Sequence, residues 1–328
     1  MLVSILNFIP RAVMQGIPIL FGCTGEILTE KSGNLNLGIP GIMYAGGIFG
    51  VIGGFLYEYS GVTMNPFLGI LIPLVCALLG SGLMALIYSF LTITLRANQN
   101  VAGLALTIFG EGLGNFFGGS LIRLVDSDAA NITLKQTSEY FRMKLPFADK
   151  LGAFGSVFFS YGFLVYVAII VTVIVAVVLK RTRVGLHLRA VGENPATADA
   201  AGINVTAYKY VATCVGGMIA GLGGLYYIMD YAMGTWNNDG AIGARGWLAI
   251  ALVIFALWKP NIGIIGSILF GGLYILYAYL PVGRDIEPLF NMLPYIVTVL
   301  VLVITSMRKK RENQPPQSLG LPYFREER

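Results

Sequence analysis

The sequence predicts an all-α, polytopic bundle of about 8 to 10 membrane-spanning helices, and three observations carry that prediction. The chain is 56% hydrophobic and only 12% charged over 328 residues, and its mean hydropathy is +0.74. Soluble folds carry about 25% charged residues, so this chain could not cover its own surface in water. Its apolar residues fall in long runs, about the 20 residues that a helix needs to cross a bilayer. Finally, 42 residues are glycine, nearly twice the ordinary share of about 7%. Small residues let helix backbones approach closely in lipid, where burial of apolar surface drives nothing.

The runs lie at 8–28, 36–57, 66–95, 101–122, 153–179, 206–229, 244–258, 261–280 and 289–307. Pro10, Arg11, Pro18 and Glu26 make the first the least lipid-like, and it is expected to lie partly in the membrane interface. The N-terminus lacks a Lys/Arg-rich start and a small-residue cleavage site, so this run is expected to be retained. Not all nine runs need span the membrane. Run 244–258 is short and closes on Trp258-Lys259-Pro260, an interfacial ring, a charge and a helix breaker; it reads as a tilted span or as half of a re-entrant pair. Spacings such as Gly46/Gly50, Gly110/Gly114 and Gly217/Gly221 mark close helix crossings. Cys23, Cys76 and Cys214 all sit inside apolar stretches and read as small packing residues.

Alternate connecting segments separate the basic residues. One set holds Lys31, Arg96, Lys180, Arg181, Arg183, Arg189, Lys209, Lys259, Arg308, Lys309, Lys310, Arg311, Arg325 and Arg328. The other holds Arg11, Arg123, Lys135, Arg142, Lys144, Lys150, Arg245 and Arg284, with Asp126, Asp128, Glu139 and Asp149 offsetting the bases of the long 123–150 segment. By 14 against 8 the first set is cytoplasmic, which puts the N-terminus outside and the C-terminus inside. The expected organisation is one transmembrane domain, 1–307, and a basic cytoplasmic tail, 308–328, flexible around Gln314-Pro315-Pro316-Gln317.

No constellation for bond-breaking chemistry is present. The one histidine, His187, lies in a basic loop without a neighbouring nucleophile, and HExxH, GxSxG and Walker A patterns are missing. The chain therefore reads as no enzyme and as holding no metal or cofactor of its own. Its bases sit in short clusters between apolar runs rather than on a platform for nucleic acid. Two acids fall within apolar runs, Glu26 and Glu111, where a charge costs roughly 2.5–3.5 kcal/mol or more. Glu26, beside Glu30-Lys31, reads as structural. Glu111 stands with Asn115, Phe116 and Phe117 within about two turns: a carboxylate, an amide and two rings suited to gripping a polar or planar solute in a transport path. An interior structural Glu111 is the rival reading.

The segment 181–205 is the most informative. Asn194 can cap the free N–H groups of a helix, Pro195 suits its first position, residues 196–201 are mostly alanine, and Gly202 permits a left-handed exit. A helix of about seven residues is too short to stand alone and offers little side-chain bulk to its own protein. It reads as a knob for another protein's groove.

Thr29-Glu30-Lys31-Ser32-Gly33-Asn34-Leu35-Asn36-Leu37-Gly38, Arg189-Ala190-Val191-Gly192-Glu193-Asn194-Pro195 and Ala200-Ala201-Gly202-Ile203-Asn204-Val205 resemble the permease subunits of ATP-binding cassette importers of the branched-chain amino acid and simple-sugar class. Gly243 through Ile250 and Lys259-Pro260 extend the resemblance over nearly the whole chain, and the spelling is closest to the nucleoside-type, basic-membrane-lipoprotein-associated subgroup. Ile39-Pro40-Gly41 departs from it, since relatives often have an acid before that glycine. The resemblance implies a permease in the bacterial cytoplasmic membrane that moves nucleosides, with simple sugars as the alternative solute. It implies a cytoplasmic ATPase that supplies ATP and magnesium, a second permease subunit, here read as a heterodimer partner, and an extracytoplasmic substrate-binding lipoprotein docking on outer loops including 123–150. Segment 193–202 would be the coupling helix, with Arg189, Gly192, Glu193, Asn194, Pro195, Asp199 and Gly202 meeting the ATPase. An ion-coupled secondary carrier, with Glu26 and Glu111 as ion ligands, is the reading of a different class; an intramembrane enzyme lacks the required residues.

Overall fold

The computed structural model describes residues 2–125, 131–144, 146, 152–237, 239–280, 286–308 and 313–324. Among them the secondary structure is helical throughout, apart from one isolated bridge between Thr133 and Thr235. The helices are α1 (Leu2–Glu30), α2 (Ile39–Glu58), α3 (Pro66–Ser89), α4 (Gln99–Val125), α5 (Lys135–Phe141), α6 (Gly152–Phe158), α7 (Phe163–Arg181), α8 (Arg183–Glu193), α9 (Pro195–Ala200), α10 (Val205–Tyr226), α11 (Ala241–Phe255), α12 (Pro260–Ile275), α13 (Glu287–Asn291) and α14 (Leu293–Arg308). α3 and α10 each run on into one π-helical turn, Phe90–Thr94 and Tyr227–Tyr231. Seven helices among the described residues are long and apolar enough to cross a membrane, and Ala241–Phe255 and Pro288–Ile304 are shorter apolar helices.

The chain is a multi-pass bundle whose centre is α1, α2 and α10. The spans containing them are 89%, 83% and 78% buried, whereas those of α4, α7 and α12 are each 33% buried. The first run is the most buried of the spans. It forms the innermost helix, because a helix surrounded by protein can carry Gln15, Thr24 and Glu26 with partners, while a lipid-facing one must be apolar all round. α2 and α10 touch backbone to backbone at Gly46 and Gly221: a Cβ on Gly46 would stand 2.4 Å from the Gly221 carbonyl oxygen. That is the close crossing the glycine spacing predicts.

Three features depart from the sequence reading. Run 153–179 is two helices, α6 and α7, parted at Ser160-Tyr161-Gly162, where a Cβ on Gly162 would meet the buried Asp230 carboxylate at 2.1 Å. Trp258 is no interfacial ring: the backbone turns back at Leu257 and Trp258, both at φ 54°, and the buried indole donates its N–H to the Glu30 carboxylate. The tail is not flexible around Pro315-Pro316, since residues 313–324 fold back and Pro316 and Ser318 are buried. Of the basic residues assigned to loops, Lys150, Arg284, Lys309, Lys310, Arg311, Arg325 and Arg328 lie outside the described residues, as do Asp126, Asp128 and Asp149.

Candidate functional site

The polar, glycine-containing spelling at 29–38 has a local physical cause. Between α1 and α2 the chain leaves helical geometry while still inside the bundle, and irregular backbone there must be satisfied by protein. The Asn36 N–H donates to Glu26 Oε1 at 2.9 Å, and the Leu35 N–H to Gln99 Oε1 at 2.7 Å. The Leu35 carbonyl accepts from the Tyr88 hydroxyl at 2.5 Å, and the Leu37 carbonyl accepts from Thr107 Oγ1 at 2.9 Å. Asn34 Nδ2 donates to Thr213 Oγ1 at 3.1 Å. Polar groups from α1, α3, α4 and α10 therefore converge on one buried segment, and Glu26 is structural, as its position near Glu30-Lys31 suggests.

That segment is the floor on which the α8–α9 unit rests. Gly192 is pressed so closely on it that a Cβ would stand 2.3 Å from the Lys31 carbonyl oxygen. Burial pulls the Lys31 ammonium below its ordinary pKa, against the opposing pull of Glu193 and Glu30. Three side-chain caps fix the unit's shape. Thr182 Oγ1 accepts from the Gly185 N–H at 3.1 Å, Asn194 Oδ1 from the Thr197 N–H at 3.0 Å, and Asn204 Oδ1 from the Ala207 N–H at 3.0 Å. α9 is the short helix that local rules predict, with Asn194 as its cap, Pro195 first and Gly202 left-handed at φ 82°. α8 was not foreseen as a helix; the Thr182 cap ahead of Arg183 was its available signal. His187 belongs to this unit structurally, with Nδ1 2.9 Å from the Tyr208 hydroxyl.

The residues with candidate coupling roles divide by exposure. Arg189, Glu193, Asn194 and Gly202 are exposed, Pro195 and Asp199 half-buried, and Gly192 buried beneath them. Thr197, Ala200 and Ala201 complete the exposed surface of the knob. Ala198 points inward, packed with Val191 and Val205 against Tyr323. The knob is thus held from behind after all, by the returning tail. The Ser318 N–H donates to the Gly192 carbonyl at 3.0 Å and its hydroxyl to the same oxygen at 2.5 Å. The Gly320 N–H reaches the Gly33 carbonyl at 3.2 Å, and the Tyr323 hydroxyl donates to Asp199 Oδ2 at 2.9 Å. Arg96 lies 4.5 Å from the Phe324 ring centroid, and Lys259 Nζ donates to Asn313 Oδ1 at 2.8 Å. Lys31, Arg96, Lys259 and the Arg183 and Arg189 of α8, five members of the larger basic set, consequently share one face of the bundle.

At the opposite end, Glu58 accepts from the Gln136 and Thr137 N–H groups at 3.2 and 3.1 Å and from Thr137 Oγ1 at 2.7 Å, anchoring the start of α5. Leu134 and Trp236 bond across to Gly234 and Ile132 at 3.0 Å each. The middle of the 123–150 segment is therefore anchored to α2 and to the turn after α10, although 126–130, 145 and 147–150 lie outside the described residues.

The candidate solute residues stand on the outward side of α4. Glu111 and Asn115 are exposed, and Phe116 and Phe117 are 68% and 37% exposed. Glu111 and Asn115 share one flank, while Phe116 lies about 140° round the helix from Glu111, so the chain alone does not converge all four. Phe116 and Phe117 meet edge to face at 5.2 Å. Glu26 and Glu111, the ligands an ion-coupled carrier would need, are not brought together: one is wholly buried on α1 and the other exposed on α4.

Sequence reasoning missed a buried cation. Arg245, assigned to an outer loop, sits in α11 at 4% exposure. Its Nη2 donates to Gln15 Oε1 at 2.7 Å and Nη1 to the Ala241 carbonyl at 2.8 Å. The guanidinium lies 4.3, 5.2 and 5.6 Å from the ring centroids of Tyr227, Tyr231 and Tyr274. Gln15 in turn donates to the Tyr231 hydroxyl at 2.9 Å. An apolar run around an arginine reads as a loop edge in sequence; only tertiary contacts reveal an aromatic cage that solvates it.

Comparison with known proteins places this geometry. Residues 8–302 match the family described as branched-chain amino acid transport system / permease component. The chain is 30% identical to the guanosine ABC transporter permease protein NupQ of Bacillus subtilis, covering 100% of this chain and 99% of that one. It is 30% identical to the nucleoside ABC transporter permease protein NupC of Lactococcus lactis, covering 90% and 91%, and 31% identical to a candidate glucose ABC transporter permease protein of Haloferax volcanii, covering 94% of each. No solved structure matches this chain.

Proposed function

The chain belongs to the branched-chain amino acid transport system permease component family, and from that premise we propose that it is the membrane-spanning subunit of an ATP-driven nucleoside importer. The observation that carries the nucleoside reading is likeness over nearly the full length of two proteins named for guanosine and nucleoside transport. Simple sugars are the second reading, favoured by the Haloferax volcanii relative.

The braced, triply capped knob supports coupling at 193–202. A separate ATPase would grip Thr197, Ala200, Ala201 and Gly202, with Arg189, Glu193, Asn194, Pro195 and Asp199 around them and Gly192 seating the unit. Because α8 and α9 rest on the 29–38 floor that ties α1, α3, α4 and α10 together, a push on the knob would reach the central helices as a rigid displacement rather than dissipate in a loop. ATP and magnesium belong to that partner in this reading. Lys31, Arg96, Lys259 and the arginines of α8, all from the larger basic set, lie on the knob's face, which supports a cytoplasmic knob and C-terminus and an outer N-terminus in a cytoplasmic membrane. The 123–150 segment then faces outward and would receive a substrate-binding lipoprotein.

Glu111 and Asn115 face away from their own bundle within a span. Since a carboxylate in hydrocarbon is costly, this flank of α4 would meet the second permease and form one wall of a shared path. A heterodimer is supported by a second Lactococcus lactis protein, the nucleoside permease NupB, which is 35% identical over 26% of this chain. The organisation that follows is one membrane domain, 1–307, with a tail, 308–328, of which residues 313–324 return to brace the coupling unit.

Uptake of labelled guanosine, ribose and glucose into vesicles containing the assembled transporter tests the proposal. ATP-dependent guanosine uptake, competed by other nucleosides, is the expected result. Ribose or glucose uptake that nucleosides leave untouched would replace it with the sugar reading.

A further inference from the structure

A cavity of about 490 Å³ lies beside the coupling knob, between the π-helical end of α3, the exit of α9, the start of α10 and the returning tail. Thr92, Arg96, Asp199, Thr206, Lys209 and Tyr323 supply its chemically active lining. Lys209 is only 3% exposed, yet no hydrogen bond or ion pair reaches its ammonium among the described residues. A cation shielded from bulk water is ordinarily paired, and this one lines the cavity. Lys209 is therefore poised for a partner that enters the cavity.

The rest of the lining says what kind of partner. Arg96 brings a second cation to the same space from a different element. The start of α10, a 22-residue helix, forms another wall. Its Asn204 cap takes the Ala207 N–H, while Val205 and Thr206, the two residues before it, both line the cavity. A helix start presents orphan N–H groups and a positive dipole end, a combination suited to phosphate. The lining also holds one carboxylate, Asp199, which accepts from the Tyr323 hydroxyl, so the lining has two cations and one anion. The space exceeds what one carboxylate side chain would fill and lies in the size range of small-molecule sites.

We propose that this cavity binds an anionic phosphate group, either a soluble phosphomonoester or the headgroup phosphodiester of a membrane lipid, held by Lys209, Arg96 and the first turn of α10. Because Asp199 and Gly202 of the knob form one wall and Pro322 and Tyr323 of the tail another, occupancy joins the tail, the coupling unit and α3 into one body. The site is independent of which solute the permease carries.

The test uses the full chain purified in an uncharged detergent, with native mass spectrometry and thermal melting as readouts. Adenosine 5′-monophosphate and inorganic phosphate are the soluble probes, and phosphatidylglycerol is the lipid probe. Wild type should bind one class saturably and melt higher when it is present. Lys209→Met should lose at least ten-fold in affinity, while melting no lower than wild type without ligand. Arg96→Gln should lose several-fold. Binding of the nucleotide or inorganic phosphate alone identifies a soluble ligand; binding of phosphatidylglycerol alone identifies a lipid. Absence of saturable binding by any probe, or equal affinity in Lys209→Met, overturns the proposal. So does a cross-link from Lys209→Cys to a buried acidic segment of the ATPase in the assembled transporter, which would show the cavity filled by protein.

Discussion

The α-carbon of Gly192 is packed against the carbonyl of Lys31 so tightly that a β-carbon would stand 2.3 Å from its oxygen. The α8–α9 unit is thereby fused to the floor between α1 and α2, and this contact separates two kinds of substitution. Gly192→Ala must move backbone, and overpacking of this sort costs about 1–3 kcal/mol. A lowered melting temperature of the detergent-purified chain is expected; unchanged melting would mean that α8 rides free of the floor. Gly192→Arg accordingly tests folding and not docking.

Ala200→Arg and Ala201→Arg are the cleaner probes of docking, because both positions are exposed. Each variant should insert and melt like wild type, fail to co-purify with the ATPase, and support less than a tenth of wild-type uptake. Normal co-purification would remove α9 from the ATPase interface.

Removing the tail strap should loosen the knob. The Tyr323 hydroxyl bonds a carboxylate, an interaction worth roughly 1.5–3 kcal/mol when sheltered and less at a half-exposed site. Tyr323→Phe should raise amide hydrogen exchange across residues 189–204 by several-fold, and truncation after Glu312 should raise it further. Protection identical to wild type in the truncated chain would show that the tail braces nothing.

Glu111→Leu distinguishes a path residue from a lipid-facing one. If the outward flank of α4 forms a wall of the path, uptake should fall at least ten-fold, with unchanged melting and unchanged ATPase association, and Glu111→Gln should retain part of the activity. Wild-type uptake by Glu111→Leu would exclude the flank from solute handling.

Arg245→Lys should destabilise the chain despite keeping its charge. The planar guanidinium bonds Gln15 while lying over Tyr227, and an ammonium on a flexible stem cannot do both. A melting temperature several degrees below wild type is expected, and equal melting would show that the cage needs only a positive charge.

How much was legible in the sequence varies with the range of the forces involved. The short helix α9 was readable in full, because Asn194, Pro195 and Gly202 act on backbone within a few residues. The break in run 153–179 was not legible because Gly162, the residue that parts it, is required by Asp230, far along the chain on another helix. Arg245 was misplaced for the same reason: its partners Gln15, Tyr227 and Tyr274 come from three other elements. The tail looked flexible because its composition is low in complexity, whereas its order comes from carbonyls of Gly33 and Gly192 that only the fold brings within reach.

By itself the amino-acid sequence determined the solvent, the helical class, the close helix crossings and the short capped helix α9, since hydropathy, glycine spacing and capping are local properties. Only the tertiary structure decided which helix is innermost, where the buried charges find partners and what braces the knob. Those outcomes depend on polar groups distant in the chain that must satisfy one another once water is excluded, a condition that no single segment can meet or reveal.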